Sequence, residues 1–468
     1  MRTFTLVFFA TALAACANAP PRAPAAAPHA VVGVADAQLN AGYWIARQAH
    51  AARVILDADA IAAQNRRLVE SDRSVRDLAA LPATLPRATV ADWVSGLSAR
   101  PDRALFDERG EPVSAATLDA LVADANVAAI PATVPVRYGL VVRRADLRAF
   151  PTALRVFSSR GNTDIDRFQE SALFPGTPVA LVHESRDGRW WFVASPLYAA
   201  WIEKDRVAIG DRAAVLGYGA KTPYLVVTGP SARTVHTPER PDVSELQLDM
   251  GVRVPVLAGW PADRPVNGQH PYTSHVIELP ARDRDGRLEF VPALLPKTAD
   301  TAAGYLPLTA ANLIAQGFKF LGERYGWGHS YNARDCSGFV SEIYRSAGVV
   351  LPRNTRDMAV SPALNRLAFT EADDRATRLA ALRQLEPGDL VFIPGHVMMV
   401  IGHVDGEPYV IHDTTGISYR DDNGALVRVP LNAVSVSPLT PLLANETASY
   451  VDRIYSVQRI RKAGNPTQ

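Results

Sequence analysis

Cysteine is nearly missing from this chain: 468 residues hold two, Cys16 and Cys336. A metal site built on paired cysteine spacing is therefore excluded. Cys336 with His396, His403 and His412 could in number supply four ligands, but nothing in their spacing resembles a zinc motif. Charge of one sign is missing too, with 49 basic against 48 acidic residues and a formal net charge of +1. That balance gives no general electrostatic attraction to nucleic acid. Beyond the N-terminus no apolar run approaches the ~20 residues of a membrane-spanning helix.

The N-terminus, MRTFTLVFFATALAAC, carries Arg2 and then a short apolar stretch from Leu6 to Leu13. This has the layout of a secretory signal. Its end, Leu13-Ala14-Ala15-Cys16, resembles a bacterial lipobox, which implies lipidation of Cys16. Residues 17–33 are rich in Ala and Pro and read as a tether. If Cys16 bears lipid, Cys336 has no disulfide partner, and an exported protein with one leftover cysteine points to a reactive thiol. A buried, inert cysteine is the structural alternative.

Length suggests about three domains. Residues 34–133 read as a helical N-terminal domain, with Ile61, Asn65 and Leu68 on one helix face. His50 there reads as a surface or packed histidine. From residue 134 the apolar period changes to two. Residues 134–209 read as a small β-barrel, with a hairpin at Asp187-Gly188, and residues 210–300 as a second one, with a hairpin at Asp285-Gly286. Residues 305–462 form the last unit. Thr309 caps a helix there, and strands are expected at 389–392, 397–401 and 408–412.

Within that unit the stretch YNARDCSGFV opens a helix whose apolar stripe is Phe339, Val340, Ile343, Tyr344 and Ala347. Asp335 stands at its N-cap and Gly348 just past its end. Cys336 thus lies in the first turn, where unsatisfied N–H groups favour thiolate. Asp335 opposes this, because a neighbouring anion raises a thiol's pKa. A cation beside the sulfur is needed, and an imidazolium is the usual one. His396 begins a strand after Pro394-Gly395. His403 precedes the turn at Asp405-Gly406 and reads as solvated. His412 lies on the returning strand near His396. A helix-borne cysteine with two histidines from adjacent strands is a nucleophile–base–orienter set.

These residues resemble the NlpC/P60 family of cell-wall peptidases. The matching pieces are Tyr325 to Gly328, Asp335 to Phe339, Leu351 to Arg353, Pro387 to Leu390, Gly395 to Val397, and His412, in that order. His329 replaces a glycine of the tryptophan motif, and Arg324 stands where proline is common. The β-blocks resemble the bacterial SH3 domains that accompany part of the family. The resemblance implies an α+β chain: a papain-like C-terminal domain preceded by two small SH3-like barrels and a helical segment. It implies hydrolysis of the γ-D-glutamyl–diaminopimelate bond of peptidoglycan stem peptides or muropeptides, without cofactor or metal. Cys336 would be the nucleophile, His396 the base and His412 the orienter. Asp335, Ser337, Tyr325 and Thr355 would bind substrate, Asp335 through the free amine of an N-terminal L-alanine. Phe150, Phe157 and Phe168 are candidate SH3 contacts. The anchor implies the periplasmic face of a membrane, the outer one by preference, since Asp is absent after Cys16. A non-catalytic wall-binding lipoprotein, or an acyl or amide transferase using the same thiol, remains as an alternative.

Overall fold

A computed structural model describes Val31 and residues 33–461. Cys16 and most of the tether lie outside the described residues. Among the described residues no helix is long and apolar enough to cross a membrane.

The C-terminal unit is built on a six-stranded antiparallel sheet. Its order is Asn365–Ala368, Ser456–Arg459, Leu390–Ile393, His396–Val404, Glu407–Thr414 and Ala433–Pro438. Alternation along His396–Val404 puts Val397, Met399 and Ile401 on one face and Met398 and Val400 on the other; both faces are buried. The first face receives the helix Cys336–Ser346 through Phe339, Val340 and Ile343, all without exposed surface. Asp335 caps that helix by accepting from Gly338 N, and Gly348 follows it at φ 82°, as a left-handed cap requires.

The first hundred residues divide between two bodies. Trp44 is fully buried in the core of the C-terminal unit, its ring 5.1 Å from Tyr409, and Leu56 and Ile61 join the same core. Val54–Leu56 pairs with Leu308–Thr309. The helix Ala58–Ser71 lays its Ile61–Asn65–Leu68 face here, and Asn65 accepts from Val350 N and donates to Gly348 O. The helices Arg87–Leu97 and Ala115–Asp124 pack instead on the β-body that follows, where Val90 and Val94 meet Phe192 and Trp201.

That β-body is a seven-stranded antiparallel sheet. Its order is Val207–Gly210, Arg137–Val141, Pro178–Glu184, Trp190–Ala194, Ala199–Glu203, Ala145–Arg148 and Gln169–Leu173. Residues 210–300 contribute the long hairpin Ser274–Arg282 with Leu288–Pro296, a three-stranded sheet it shares with Thr301–Ala302, and a two-stranded ribbon around one core.

A buried ionic network joins the three bodies. Arg334, 2% exposed, pairs with Glu342 at 2.8 Å, Glu323 at 2.9 Å and Asp249 at 2.9 Å. Asp249 comes from the second β-block and Glu342 from the Cys336 helix. Arg144 of the first β-body lies 3.5 Å from Asp249 and donates to the carbonyls of His329 and Ala333. Removing one partner of a buried network strands the others as uncompensated charges. Arg334→Ala is therefore expected to destabilise the chain by about 3–5 kcal/mol. Urea unfolding should also lose the single transition shared by the β-blocks and the C-terminal unit; an unchanged midpoint would refute this coupling.

Candidate active site

Cys336 begins its helix at the wall of a cleft of about 580 Å³. Tyr325, Trp327, His396 and Asp413 line the same cleft. The thiol is 6% exposed and its sulfur lies 3.7 Å from Thr355 Oγ1. Burial and the Asp335 carboxylate push its pKa up to about 12, against smaller opposite pulls from Thr355 and the Val397 N–H. Desolvation and the adjacent anion thus oppose thiolate, in line with the expectation that the helix terminus alone does not supply it.

His396 stands first on its strand. Its Nε2 lies 2.9 Å from His412 Nδ1, and His412 Nε2 lies 3.1 Å from Ser437 Oγ. Met399 faces Ile411 in the ladder, so side chains of opposite parity, 396 and 412, share one side. Burial lowers the His396 pKa to about 4, and burial together with His396 holds His412 well below its ordinary range. Both rings are neutral near pH 7. With Nε2 of His396 donating to His412, Nδ1 of His396 keeps a lone pair. His403 turns elsewhere: it is half-buried, with Nε2 3.3 Å from Leu382 O, rather than solvated. The strand's bulge between Val400 and Gly402 carries it there. His50 is exposed.

Asp335 is held by several donors. Oδ1 accepts from Gly338 N at 2.8 Å, Ser337 Oγ at 3.2 Å and Arg353 Nη1 at 3.2 Å. Oδ2 accepts from Gly328 N at 3.0 Å and Arg353 Nη2 at 2.7 Å. Those donors fill the ~four lone-pair sites of a carboxylate. Burial alone would raise its pKa, but Arg353 and the N–H donors hold it at about 2. The resemblance implies an amine-binding role for Asp335, and in this structure its oxygens are engaged by Arg353, Ser337 and backbone N–H groups. Ser337, 3% exposed, is likewise engaged, accepting from Arg353 Nη1 at 2.7 Å. Arg353 also donates to Ser171 Oγ of the first β-body at 2.6 Å.

His329 explains its own departure from glycine. Its φ is 66°, where glycine sits without strain. Arg353 Nη2 can only donate, so Nδ1 of His329, 3.2 Å away, accepts; Nε2 then carries the proton and donates to Glu342 Oε1 at 3.2 Å. Burial, with Arg353, keeps the ring neutral. The imidazole thus ties the loop Trp327–Asn332 to the Cys336 helix.

Phe150, Phe157 and Phe168 do not reach the cleft. All three are at most 2% exposed, and Phe150 and Phe168 pack together at 4.8 Å in the β-body core. Ile165 of that body lines the cleft instead. Trp327 anchors the junction, its Nε1 donating to Gln169 O at 3.0 Å. Sequence reading also passed over Arg353, visible only as the end of the Leu-Pro-Arg motif, and Asp413, whose one signal is adjacency to His412. Among the described residues no group of three or more His, Cys, Asp or Glu converges as metal ligands.

Comparison with known proteins bears on the domains that hold these residues. Residues 322–435 match the model of the NlpC/P60 family, and residues 155–203 that of an SH3 domain of the SH3b1 type. A probable endopeptidase p60 of Listeria innocua is 31% identical over 119 residues, covering 24% of this chain and 22% of that protein. The Listeria welshimeri counterpart is 30% identical over the same length, covering 24% and 19%. The chain therefore spans about a fifth of the length of these curated relatives. The solved structure of an NlpC/P60 endopeptidase from Photobacterium damselae subsp. piscicida superposes with a TM-score of 0.70 at 17% identity. It covers 87% of this chain and 93% of that one, so the likeness in fold extends across all three bodies. The unit that carries Cys336, His396 and His412 is thus a papain-like domain of the NlpC/P60 family, and it is preceded by an SH3 domain of the SH3b1 type.

Proposed function

We propose that the chain is a cysteine endopeptidase that hydrolyses the γ-D-glutamyl–diaminopimelate bond of peptidoglycan stem peptides carrying a free N-terminal L-alanine. The observation that carries the catalytic part is the His396–His412 contact at 2.9 Å in the cleft wall that also holds Cys336. His396 Nδ1 takes the thiol proton as the sulfur attacks the carbonyl, and returns it to the leaving amine. His412, backed by Ser437, holds the ring in the tautomer that this requires. The Cys336 N–H in the helix's first turn and the Tyr325 hydroxyl stabilise the oxyanion. Burial raises the thiol pKa and lowers the imidazole pKa, which favours proton transfer accompanying attack over a resting ion pair.

Ile165 and Trp327 favour short substrates: the SH3 domain supplies part of the cleft wall, which suits a free peptide end better than a cross-linked sacculus. Lipidation at Cys16 would hold the enzyme on the periplasmic face of the outer membrane. Cys16→Ala is then expected to move the protein from the membrane to the soluble fraction, and to abolish labelling by radioactive palmitate.

Incubation with L-Ala-γ-D-Glu-diaminopimelate and with purified sacculi, read by mass spectrometry, tests the activity. Release of L-Ala-D-Glu from the tripeptide is expected, with little from sacculi. Cys336→Ala and His396→Ala should each lower kcat by about 10⁴-fold or more. His412→Ala should cost less, about 10²-fold. A Cys336→Ala variant with full activity would falsify the reading.

The lowered histidine pKa values have two consequences. A neutral His396 is the working base, so kcat/KM should hold from pH 7 past pH 6 and fall only as pH approaches about 4. Stability follows the same sign. In the unfolded chain histidine titrates near 6.5, so below that pH unfolding takes up protons that the folded state refuses. Stability is thus full above about 6.5 and is lost as pH falls toward about 4. Thermal melts between pH 8 and 4 in wild type and His396→Gln check this, the variant showing the shallower loss.

A further inference from the structure

The strand Glu407–Thr414 carries His412 and runs on, through Thr415 and Gly416, into the two-stranded ribbon of Ile417–Arg420 with Leu426–Val429. Thr414 to Ser418 line the cleft along this path. Ser418 stands opposite Arg428 in the ribbon, so the two side chains share one face, and Arg428 lines the cleft as well. Among the described residues of the cleft wall, Arg428 is the only Lys or Arg and Asp413 the only carboxylic acid. Asp413 is fully buried, and burial pushes its pKa well up, toward the neutral acid. Arg428 is the reverse case: 68% of its side chain is exposed. Its Nη2 donates to Glu446 Oε1 at 2.9 Å, and Glu446 is as exposed as Arg428. That contact uses one of the five N–H donors of a guanidinium. The cleft therefore presents one accessible formal charge, a cation with donors to spare.

The position of that charge matters to the reaction. A leaving amine must sit at His396 to receive its proton, and His396 rests against His412 on the strand that leads to Arg428. The leaving amine belongs to the diamino acid. We infer that Arg428 selects the diamino acid by binding the distal carboxylate of diaminopimelate. This rests on the stem-peptide reading above. Diaminopimelate ends its side chain in a carbon that bears both an ammonium and a carboxylate, whereas lysine ends in an ammonium alone. The planar fork of a guanidinium matches a carboxylate through paired N–H groups. Glu446 beside it accepts an ammonium, which both diamino acids carry, so the discrimination lies with Arg428. The residue acts on the choice of substrate and has no part in the proton path through His396 and His412.

The test measures kcat/KM of the full chain on three tripeptides. Each begins L-Ala-γ-D-Glu and ends in diaminopimelate, in diaminopimelate amidated at the distal carboxylate, or in L-lysine. Wild type is expected to prefer the first by about 10-fold, the low end for a hydrogen bond to a charged group, because the site is exposed. Arg428→Gln should remove that preference by slowing the first peptide alone, and its melting temperature should match wild type, since the side chain it replaces is largely in solvent. Rising salt should narrow the preference of the unaltered chain, because exposed charges are screened. Equal loss on all three peptides overturns the inference, as does a preference that survives Arg428→Gln or ignores salt. Cleavage of all three by wild type at equal rates removes this inference and leaves the stem-peptide reading standing. Cleavage of none removes the reading and the inference together.

Discussion

The buried contact between Arg353 and Asp335 is the interaction on which the site depends. Arg353 reaches Asp335 through two nitrogens, Ser337 through one, Ser171 of the SH3 domain through Nε, and His329 through Nη2. His329 passes the link to Glu342, Glu342 to Arg334, and Arg334 to Asp249. The N-terminus of the nucleophile helix is therefore fixed by charge from three bodies at once. Buried ion pairs are weak sources of net stability, since desolvation offsets their attraction. Their effect here is geometric: each member has a partner at one position only, so the SH3 domain and the helix cannot slide without stranding a charge.

That fixation shapes the chemistry. An aspartate held as an anion next to the sulfur caps the helix well and opposes thiolate strongly. The helix terminus does not overcome it. A stable thiolate–imidazolium pair would need a cation-rich cleft, whereas burial raises the Cys336 pKa and lowers that of His396. A neutral dyad suits this environment, because charge then develops only as the carbonyl is attacked, where first-turn N–H groups and the Tyr325 hydroxyl can meet it. The pairing of two imidazoles follows the same logic. A carboxylate orienter would raise the basicity of His396 and favour a resting ion pair, while His412 fixes the tautomer without adding charge.

Much of this was legible in the sequence because the signals were local. A period of two, Asp-Gly turns and an apolar stripe after an N-cap aspartate fix strands, hairpins and the Cys336 helix. The histidine pair followed from strand alternation and a short return. What escaped was non-local. Helical spacing around Trp44 and around Val94 looks alike, yet one packs on the peptidase sheet and the other on the SH3 domain. Aromatic residues in a β-rich segment suggest a binding face, but Phe150, Phe157 and Phe168 fill its core, as bulky apolar side chains usually do. Asp335 looked like a free capping group because its partner Arg353 is separated by a helix and a turn.

Two residues break local rules, and the comparison between them separates structure from function. His329 occupies a left-handed backbone position that disfavours any side chain with a Cβ. Both of its ring nitrogens are satisfied and its ring is edged against Phe174 at 5.6 Å, so the strain is compensated within the fold. Asp413 is the opposite case: its backbone is ordinary β-strand, yet its buried oxygens have no hydrogen-bond partner, and burial pushes its pKa well up toward the neutral acid. Violations that the fold repairs need no ligand to explain them. A buried acid without a partner is relieved instead by holding its proton, and burial raises the Asp413 pKa accordingly.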